Sequence, residues 1–488
     1  MNLPERVVSL QELITSSNIR FGTSGARGLV VDMTDDVCFA YTLAFLETMS
    51  IEPLSSVALA IDLRPSSPRI AAVCAAAIEY AGFTVDFCGD IPTPALAFYA
   101  QQLGIPAMMI TGSHIPFDRN GIKFYGLSGE ITKDDEVNIS QAVIRLPQVI
   151  HPTVLTDVHM AARQMYINRY LDYFEPQCLD GMQLGFYEHS SVARDLLREI
   201  LEALGAQVTS LYRTNEFMPI DTEAVAEVDI KRAHKWASEH TFDAIISTDG
   251  DADRPLIADE QGRWMRGDIV GLLCAHFLGA QAIATPISCN TAIEKCGVFS
   301  KVIRTRIGSP YVIAGMDQLR KSGLNSIVGF EANGGFLLGS TMVKDGRVMA
   351  PLNTRDAVLP ILSVLSMAKD KGCKLSELSQ ELPNRFTASD RLQLFPSDVS
   401  RQLLLKLAAS TTAINRLLKT FGTDVTKLDQ TDGLRITFDN GEIVHFRPSG
   451  NAPELRCYAE AEDAIRAEYL ARTALKLIRK KSCHLAGN

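Results

Sequence analysis

No stretch of this 488-residue sequence approaches ~20 uninterrupted apolar residues, so no membrane span is expected. There is no basic run either. Lys+Arg 48 against Asp+Glu 57 leaves a net charge of −9, which argues against general binding to nucleic acid or an anionic membrane. A small phosphorylated ligand stays open, because one local cluster of Arg and Lys can hold it. The ten cysteines form no CxxC pair and have no companion histidine spacing. Cys74, Cys274 and Cys457 sit in apolar segments and read as buried thiols, so a reducing cytoplasm is the expected setting. The first residues, MNLPERVVSLQELI, interrupt their apolar stretch with Glu5, Arg6 and Glu12 and lack the two regions of a signal peptide. With 46% hydrophobic and 22% charged residues, composition is that of a globular chain. At roughly 150 residues per domain, its length suits about three to four domains.

One pattern recurs three times: apolar strand, loop, helix, apolar strand. The copies are 56–62 to 83–88, 182–187 to 207–212, and 282–288 to 301–306, with helices expected at 69–81, 191–205 and from about Thr291. Their strands lack strict alternation, as strands covered on both faces do, and alternation with helices implies mainly parallel sheets. The last hundred residues differ. One long helical stretch (399–420) precedes two strands around Asn440-Gly441, a favoured tight turn, and a helix over 462–481 closes the chain, giving an α+β character. The expected domains are 1–152, 153–262, 263–377 and 384–488.

Four loops carry chemistry. In PAMMITGSHIPFDRNGIKF, Ser113 falls just past the carboxyl end of an apolar strand, where open α/β sheets bind ligands. Gly112 would permit the sharp turn that pushes the serine hydroxyl outward. Adjacent extended residues point apart, so His114 is not expected to serve as a base for Ser113. Lys123 could return to the same site as a proton donor or phosphate contact. On its own the segment would be an ordinary serine-containing turn.

In FDAIISTDGDADRPLIADEQG, Asp249, Asp251 and Asp253 alternate after a strand and would share a face. Three such carboxylates repel one another, and a hard divalent cation, Mg2+ by expectation, relieves the repulsion. An EF-hand would find Glu260 at its twelfth position, but Arg254 stands where its sharp turn needs glycine. In RPSGNAPELR, Arg447, Ser449, Gly450, Asn451 and Arg456 surround a glycine turn suited to a phosphate dianion. In VGFEANGGFLLG, Glu331 and Asn333 could accept and donate hydrogen bonds to sugar hydroxyls. A further glycine-rich loop, FGTSGARG, holds Arg27.

Taken in order, these segments resemble the α-D-phosphohexomutase family. TGSHIP resembles its phosphoserine loop, DGDADR its metal loop, FEANGG its sugar loop and RPSGNAPELR its phosphate loop; FGTSGARG resembles its amino-terminal loop. The resemblance implies four domains around a central cleft, three similar α/β domains and a C-terminal α+β domain. It implies that Ser113 carries a phosphoryl group, that Asp249, Asp251 and Asp253 bind Mg2+ with a phosphoserine oxygen, and that Arg254 sits near that phosphate. Arg27 and Lys123 would assist proton transfer, Lys123 the better base because arginine stays charged, and His114 would orient the site. Glu331 and Asn333 would read hydroxyls, with Gly308 and Ser309 in a substrate-dependent loop, RTRIGSPYV; Arg447, Ser449, Gly450 and Asn451 would hold the phosphate not in transfer, beside Arg456 of the same loop.

Two departures stand out: Gly335 replaces a common histidine of the sugar loop, and Asn451-Ala452 replaces the Thr-Glu of SGTEP. The implied activity interconverts hexose 6- and 1-phosphates through a 1,6-bisphosphate, which would also be the activator. Mannose phosphate is expected first, then glucose, then (acetyl)glucosamine phosphates. The chain would be a monomer or homodimer. A metal-dependent sugar phosphatase and a non-catalytic sugar-phosphate sensor are the readings from other classes.

Overall fold

In the computed structural model, residues 5–22, 25–49, 56–449 and 454–485 are described, with side chains to 481. The chain divides into two compact units, Met1–Ile283 with Gly308–Leu378, and Ala284–Ile307 with Ser379–Asn488. None of the described helices is long and apolar enough to cross a membrane.

The first unit is built on mixed sheets. Its largest has the strand order Arg20–Phe21, Ala26–Leu29, Arg119–Gly126, Ala107–Ile110, Ser56–Ile61, Thr84–Asp90. Ser56–Ile61 is parallel to both Thr84–Asp90 and Ala107–Ile110, while Arg119–Gly126 returns antiparallel. All four residues of Ala107–Ile110 are buried, which explains the absence of alternation in the sequence. The helix Ser67–Tyr80 covers this sheet, and Asp35–Thr48, capped by Thr34, packs on that helix.

The second sheet runs Gln207–Leu211, Gln183–Tyr187, Ala244–Thr248, Pro255–Ala258, with two parallel pairs and one antiparallel. Ile327–Phe330, Phe336–Leu338 and Leu352–Asp356 pair antiparallel. Strand–helix–strand connections form at the first two expected copies. At the third, the helix shrinks to one turn, Ala292–Lys295, and a longer one, Ser309–Lys321, starts beyond it.

The second unit carries a five-stranded antiparallel sheet, ordered Phe386–Leu392, Leu455–Ala461, Ile443–Pro448, Leu434–Phe438, Val425–Asp429. The Asn440-Gly441 turn forms as read; Gly441 has φ 78°, and Glu442 N–H donates to Asn440 Oδ1 at 3.0 Å. The expected single helix over 399–420 is two, Ser397–Ala408 and Thr411–Leu417. Ser410 interrupts it, because its Oγ accepts from Ala413 N–H and caps the second helix. Ala464–Leu485 closes the unit over the apolar side of the sheet.

Candidate active site

The interior strand Ala107–Ile110 delivers Ser113 just past its carboxyl end in the first sheet, and the loop after it is held by one arginine. Arg64, fully buried, donates to the carbonyls of Ser113, Ile115, Pro116 and Arg119 at 2.6–2.9 Å and pairs with Asp62. Gly112 is required for this close approach: a Cβ there would lie 2.6 Å from the Arg64 Cζ. The left-handed residue is Ser113 itself, at φ 53°, which corrects the expectation that Gly112 makes the turn. Because Ser113 is not extended, its Oγ and His114 Nδ1 are 3.3 Å apart, not directed away from each other. His114 is still a poor base. Burial, and then the neighbouring Arg254 charge, push its imidazole down to about 2, and its Nδ1 accepts from Arg254 Nη1 at 2.8 Å.

Ser113 is buried and its Oγ donates to Asp249 Oδ2 at 2.6 Å. The three aspartates converge, with one ligand atom from each lying within 4.8 Å of the others. They do so by a turn, not by strand alternation: Ala252 has φ 56° and its N–H donates to Asp249 O. Gly250 lets this turn press against the serine loop, since a Cβ there would meet Ser113 O at 3.0 Å. Lys123 joins the cluster from the strand Arg119–Gly126, donating to Asp251 Oδ2 at 2.6 Å and Asp253 Oδ2 at 2.7 Å. Thr93, at the start of the helix Thr93–Leu103, donates its Oγ1 to Asp251 Oδ2 at 2.5 Å.

The electrostatics split the three acids. Burial and the charges of Asp251 and Asp253 hold the Asp249 carboxyl well above the usual range. Burial opposes ionisation of Asp253 too, but Arg355, Lys123 and Arg254 hold it well below. The oxygens Asp251 Oδ1 and Asp253 Oδ1 are buried with no hydrogen-bond partner. Three clustered carboxylates with two orphaned oxygens fit a hard divalent cation.

Arg27 reaches the same region. Burial, then Arg254, lower its guanidinium to about 10, and its Nε has no hydrogen-bond partner. Arg254 lies 3.5 Å from Asp253 Oδ1 and 3.9 Å from Asp249 Oδ2. Glu331 and Asn333 follow the strand Ile327–Phe330 and are buried, with Asn333 Nδ2 3.5 Å from Glu331 Oε2. Gly308 precedes the helix Ser309–Lys321 with φ 128°, and Ser309 Oγ donates to Glu130 Oε2 at 2.8 Å.

In the second unit, register alone aligns the phosphate-loop arginines. Arg447 lies directly opposite Arg456, and Arg456 opposite Arg391, so three arginines share one face across three strands. Like charges placed so are unfavourable without anions between them. Asp432 pairs with Arg447 at 2.9 Å, and Glu454 sits 3.4 and 3.8 Å from Arg391 and Arg456. Ser449 is buried, its N–H donating to Glu454 O at 2.8 Å. Gly450 and Asn451 lie outside the described residues.

Models of the phosphoglucomutase/phosphomannomutase family match the chain along most of its length: alpha/beta/alpha domain I at 18–148, domain II at 164–262, domain III at 266–386, and the C-terminal domain at 402–477. The chain belongs to this family. A phosphomannomutase of Salmonella muenchen is 49% identical over 484 residues, covering 98% of this chain and 99% of the relative. One of Sinorhizobium fredii is 45% identical over 469 residues, covering 94% and 98%. The open form of the Paramecium phosphoglucomutase pp63/parafusin matches with a TM-score of 0.72 at 17% identity, covering 98% of this chain and 97% of that one. That likeness shows the fold: three α/β/α domains and a C-terminal domain, as the resemblance implied.

Within this phosphohexomutase fold, four residues at the site escaped sequence reasoning: Arg64, Thr93, Glu130 and Arg355. Arg64 carried a faint signal, an arginine before proline directly after a strand. Thr93 carried another, a Thr-Pro at a helix start. Arg355 carried none, because its partner Asp253 is 102 positions away.

Proposed function

We propose that this chain interconverts hexose 6-phosphate and hexose 1-phosphate, with mannose phosphate as the preferred substrate. The observation that carries the reading is the serine hydroxyl of Ser113, 2.6 Å from Asp249 in a buried three-acid cluster that retains two carboxylate oxygens without a hydrogen bond. The choice of mannose rests on the two relatives named phosphomannomutase at 49% and 45% identity.

Ser113, phosphorylated in the active enzyme, donates its phosphoryl group to the free sugar hydroxyl and forms the 1,6-bisphosphate. The intermediate reorients, and Ser113 takes the other phosphate. Asp249, Asp251 and Asp253 would hold Mg2+, which when bound neutralises charge on the phosphoryl group in transfer. Arg254 and Arg27 add fixed positive charge beside it, because such transfer depends on positioning and charge compensation more than on covalent assistance.

Each hydroxyl that attacks must lose a proton, and each serine oxygen that leaves must gain one. Lys123 is assigned that exchange: its Nζ donates hydrogen bonds to Asp251 and Asp253, within the cluster that Ser113 joins through Asp249. Lys123→Arg keeps a charge but cannot release a proton at neutral pH. It should lower kcat with little change in KM.

Glu331 and Asn333 read the hydroxyls. Arg447, Ser449, Gly450, Asn451 and Arg456 grip the phosphate not in transfer. A trace of hexose 1,6-bisphosphate would activate the enzyme by restoring phosphoserine.

The test is a coupled assay with mannose, glucose and N-acetylglucosamine phosphates plus trace bisphosphate. Net isomerisation should occur, fastest with mannose phosphate. Release of inorganic phosphate without isomerisation would instead make the chain a phosphatase.

A further inference from the structure

We propose that Arg355 is a positioning residue that couples cation binding at Asp253 to sugar recognition at Glu331. The inference rests on the reading above for the identity of its two ends.

Arg355 is the penultimate residue of the strand Leu352–Asp356 and is only 1% exposed. Its Nε and Nη2 lie 3.1 and 2.7 Å from Asp253 Oδ2. On the other side of the same plane, Nη1 lies 3.2 Å from Glu331 Oε2 and 3.0 Å from Ser309 Oγ. Ser309 in turn donates to Glu130, whose other oxygen accepts from Thr354 Oγ1 at 2.9 Å, so the arginine's far side is fixed by its own strand.

A guanidinium is rigid and planar, and its donors point in fixed directions. One rigid group therefore sets the spacing and orientation of two carboxylates with different tasks. At Asp253 it decides which oxygen is presented. Oδ2 is occupied by Arg355 and Lys123, leaving the buried Oδ1 without a hydrogen bond, with the Arg254 guanidinium 3.5 Å away. At Glu331 it holds Oε2.

The backbone makes room for this arrangement at a single position. A Cβ on residue 335 would lie 2.4 Å from Arg355 Cδ and 2.8 Å from its Cγ. Gly335 is thus the clearance through which the arginine passes, and that explains its presence in the sugar loop where the sequence departs from the family's usual histidine. Mere neutralisation of a buried acid would not require this geometry, since Lys123 already pairs with Asp253.

The experiment measures Mn2+ binding by electron paramagnetic resonance to the full unphosphorylated chain, with and without saturating mannose 6-phosphate. In the unmodified protein the sugar phosphate should tighten Mn2+ binding by about 10-fold, within the range usual for coupled sites. Arg355→Lys, whose single ammonium reaches one carboxylate at a time, should bind each ligand but reduce that factor to near unity. Glu331→Gln should do the same, and the double variant should show no further loss. Gly335→Ala, which keeps every charged group and displaces only the arginine, should reproduce the effect.

Unchanged coupling in both Arg355→Lys and Gly335→Ala, with only a lower Tm, would overturn the proposal, as would absence of coupling in the unmodified protein. Loss of coupling in a protein that never isomerises hexose phosphate would leave this inference standing and remove the mutase reading. Turnover with coupling intact in the variants would do the reverse.

Discussion

The two regions expected to meet phosphate solve opposite electrostatic problems. Around Ser113 the protein collects acids and buries them: Asp249, Asp251 and Asp253 are each fully buried, and Lys123, Arg254 and Arg355 close around them. In the second unit it collects arginines in register on one sheet face and leaves them part-exposed, Arg391 at 53%, Arg456 at 38% and Arg447 at 20%. Buried charge must be compensated by a rigid set of partners, because an unpaired ion in low dielectric costs several kcal/mol. Half-exposed charge is partly screened by water and can exchange partners. The first arrangement suits one fixed act of transfer. Under the proposed function, the second would suit repeated gripping and release of phosphates that differ in position.

The contrast can be broken at each end. The largest effect is expected from Ser113→Ala, which should lower turnover by several orders of magnitude while circular dichroism shows the fold retained, with Tm lowered only by the lost hydrogen bond to Asp249. Residual activity near the unmodified level would show that the buried cluster is not where transfer occurs. Next, Thr93→Val removes the hydroxyl bonded to Asp251. It should weaken Mg2+ activation about 10- to 100-fold, as loss of a partner behind a metal ligand does. An unshifted Mg2+ titration would contradict the assignment of Asp251.

Arg447→Ala should behave differently. A charge-assisted hydrogen bond is worth about 1.5–3 kcal/mol, so KM should rise roughly 10- to 100-fold with kcat little altered. A fall in kcat alone would place Arg447 with the transfer machinery and erase the distinction between the regions.

Much of this was legible in the sequence for a simple reason. Ala107–Ile110 and Ala244–Thr248 are wholly buried strands, and buried strands read as unbroken apolar runs that point to the loops after them. The acids of DGDADR, the Asn440-Gly441 turn and the order of the loops were equally local. What failed was conformation inside the loops. Ser113 and Ala252 adopt positive φ without being glycine, so rules for extended chain gave the right cluster for the wrong reason and the wrong relation between Ser113 and His114.

Contacts made across sequence distance were invisible. Arg355 meets Asp253 at 102 positions and Thr93 meets Asp251 at 158. Arg391 joins the arginine row only through the register of three strands. The break at Ser410 was missed because a serine reads as a tolerable helix residue until its hydroxyl is seen to cap.

Two smaller effects sharpen the comparison within the second unit. His445 is buried among the strands, and burial lowers it to about 4. A neutral buried histidine stabilises the fold fully above its ordinary value of 6.5, and that contribution is lost as pH falls from 6.5 toward about 4, because the unfolded chain binds the proton first. His445→Gln should therefore flatten the decline of Tm between pH 6.5 and 4; an unchanged slope would exclude this histidine as its source. Ser410→Ala should cost about 1 kcal/mol of stability in denaturant titration, the usual value of a helix cap, with kinetics untouched.

Passage of a phosphoryl group through the Ser113 hydroxyl is the step on which the proposed reaction turns. It is tested most directly by mixing the purified protein with hexose 1,6-bisphosphate labelled in its phosphate groups, locating the label by peptide mass analysis, and chasing with unlabelled mannose 1-phosphate. Stoichiometric label should appear on Ser113 and move wholly into sugar phosphate during the chase. Label that never enters the protein, or that leaves it as inorganic phosphate, would contradict it.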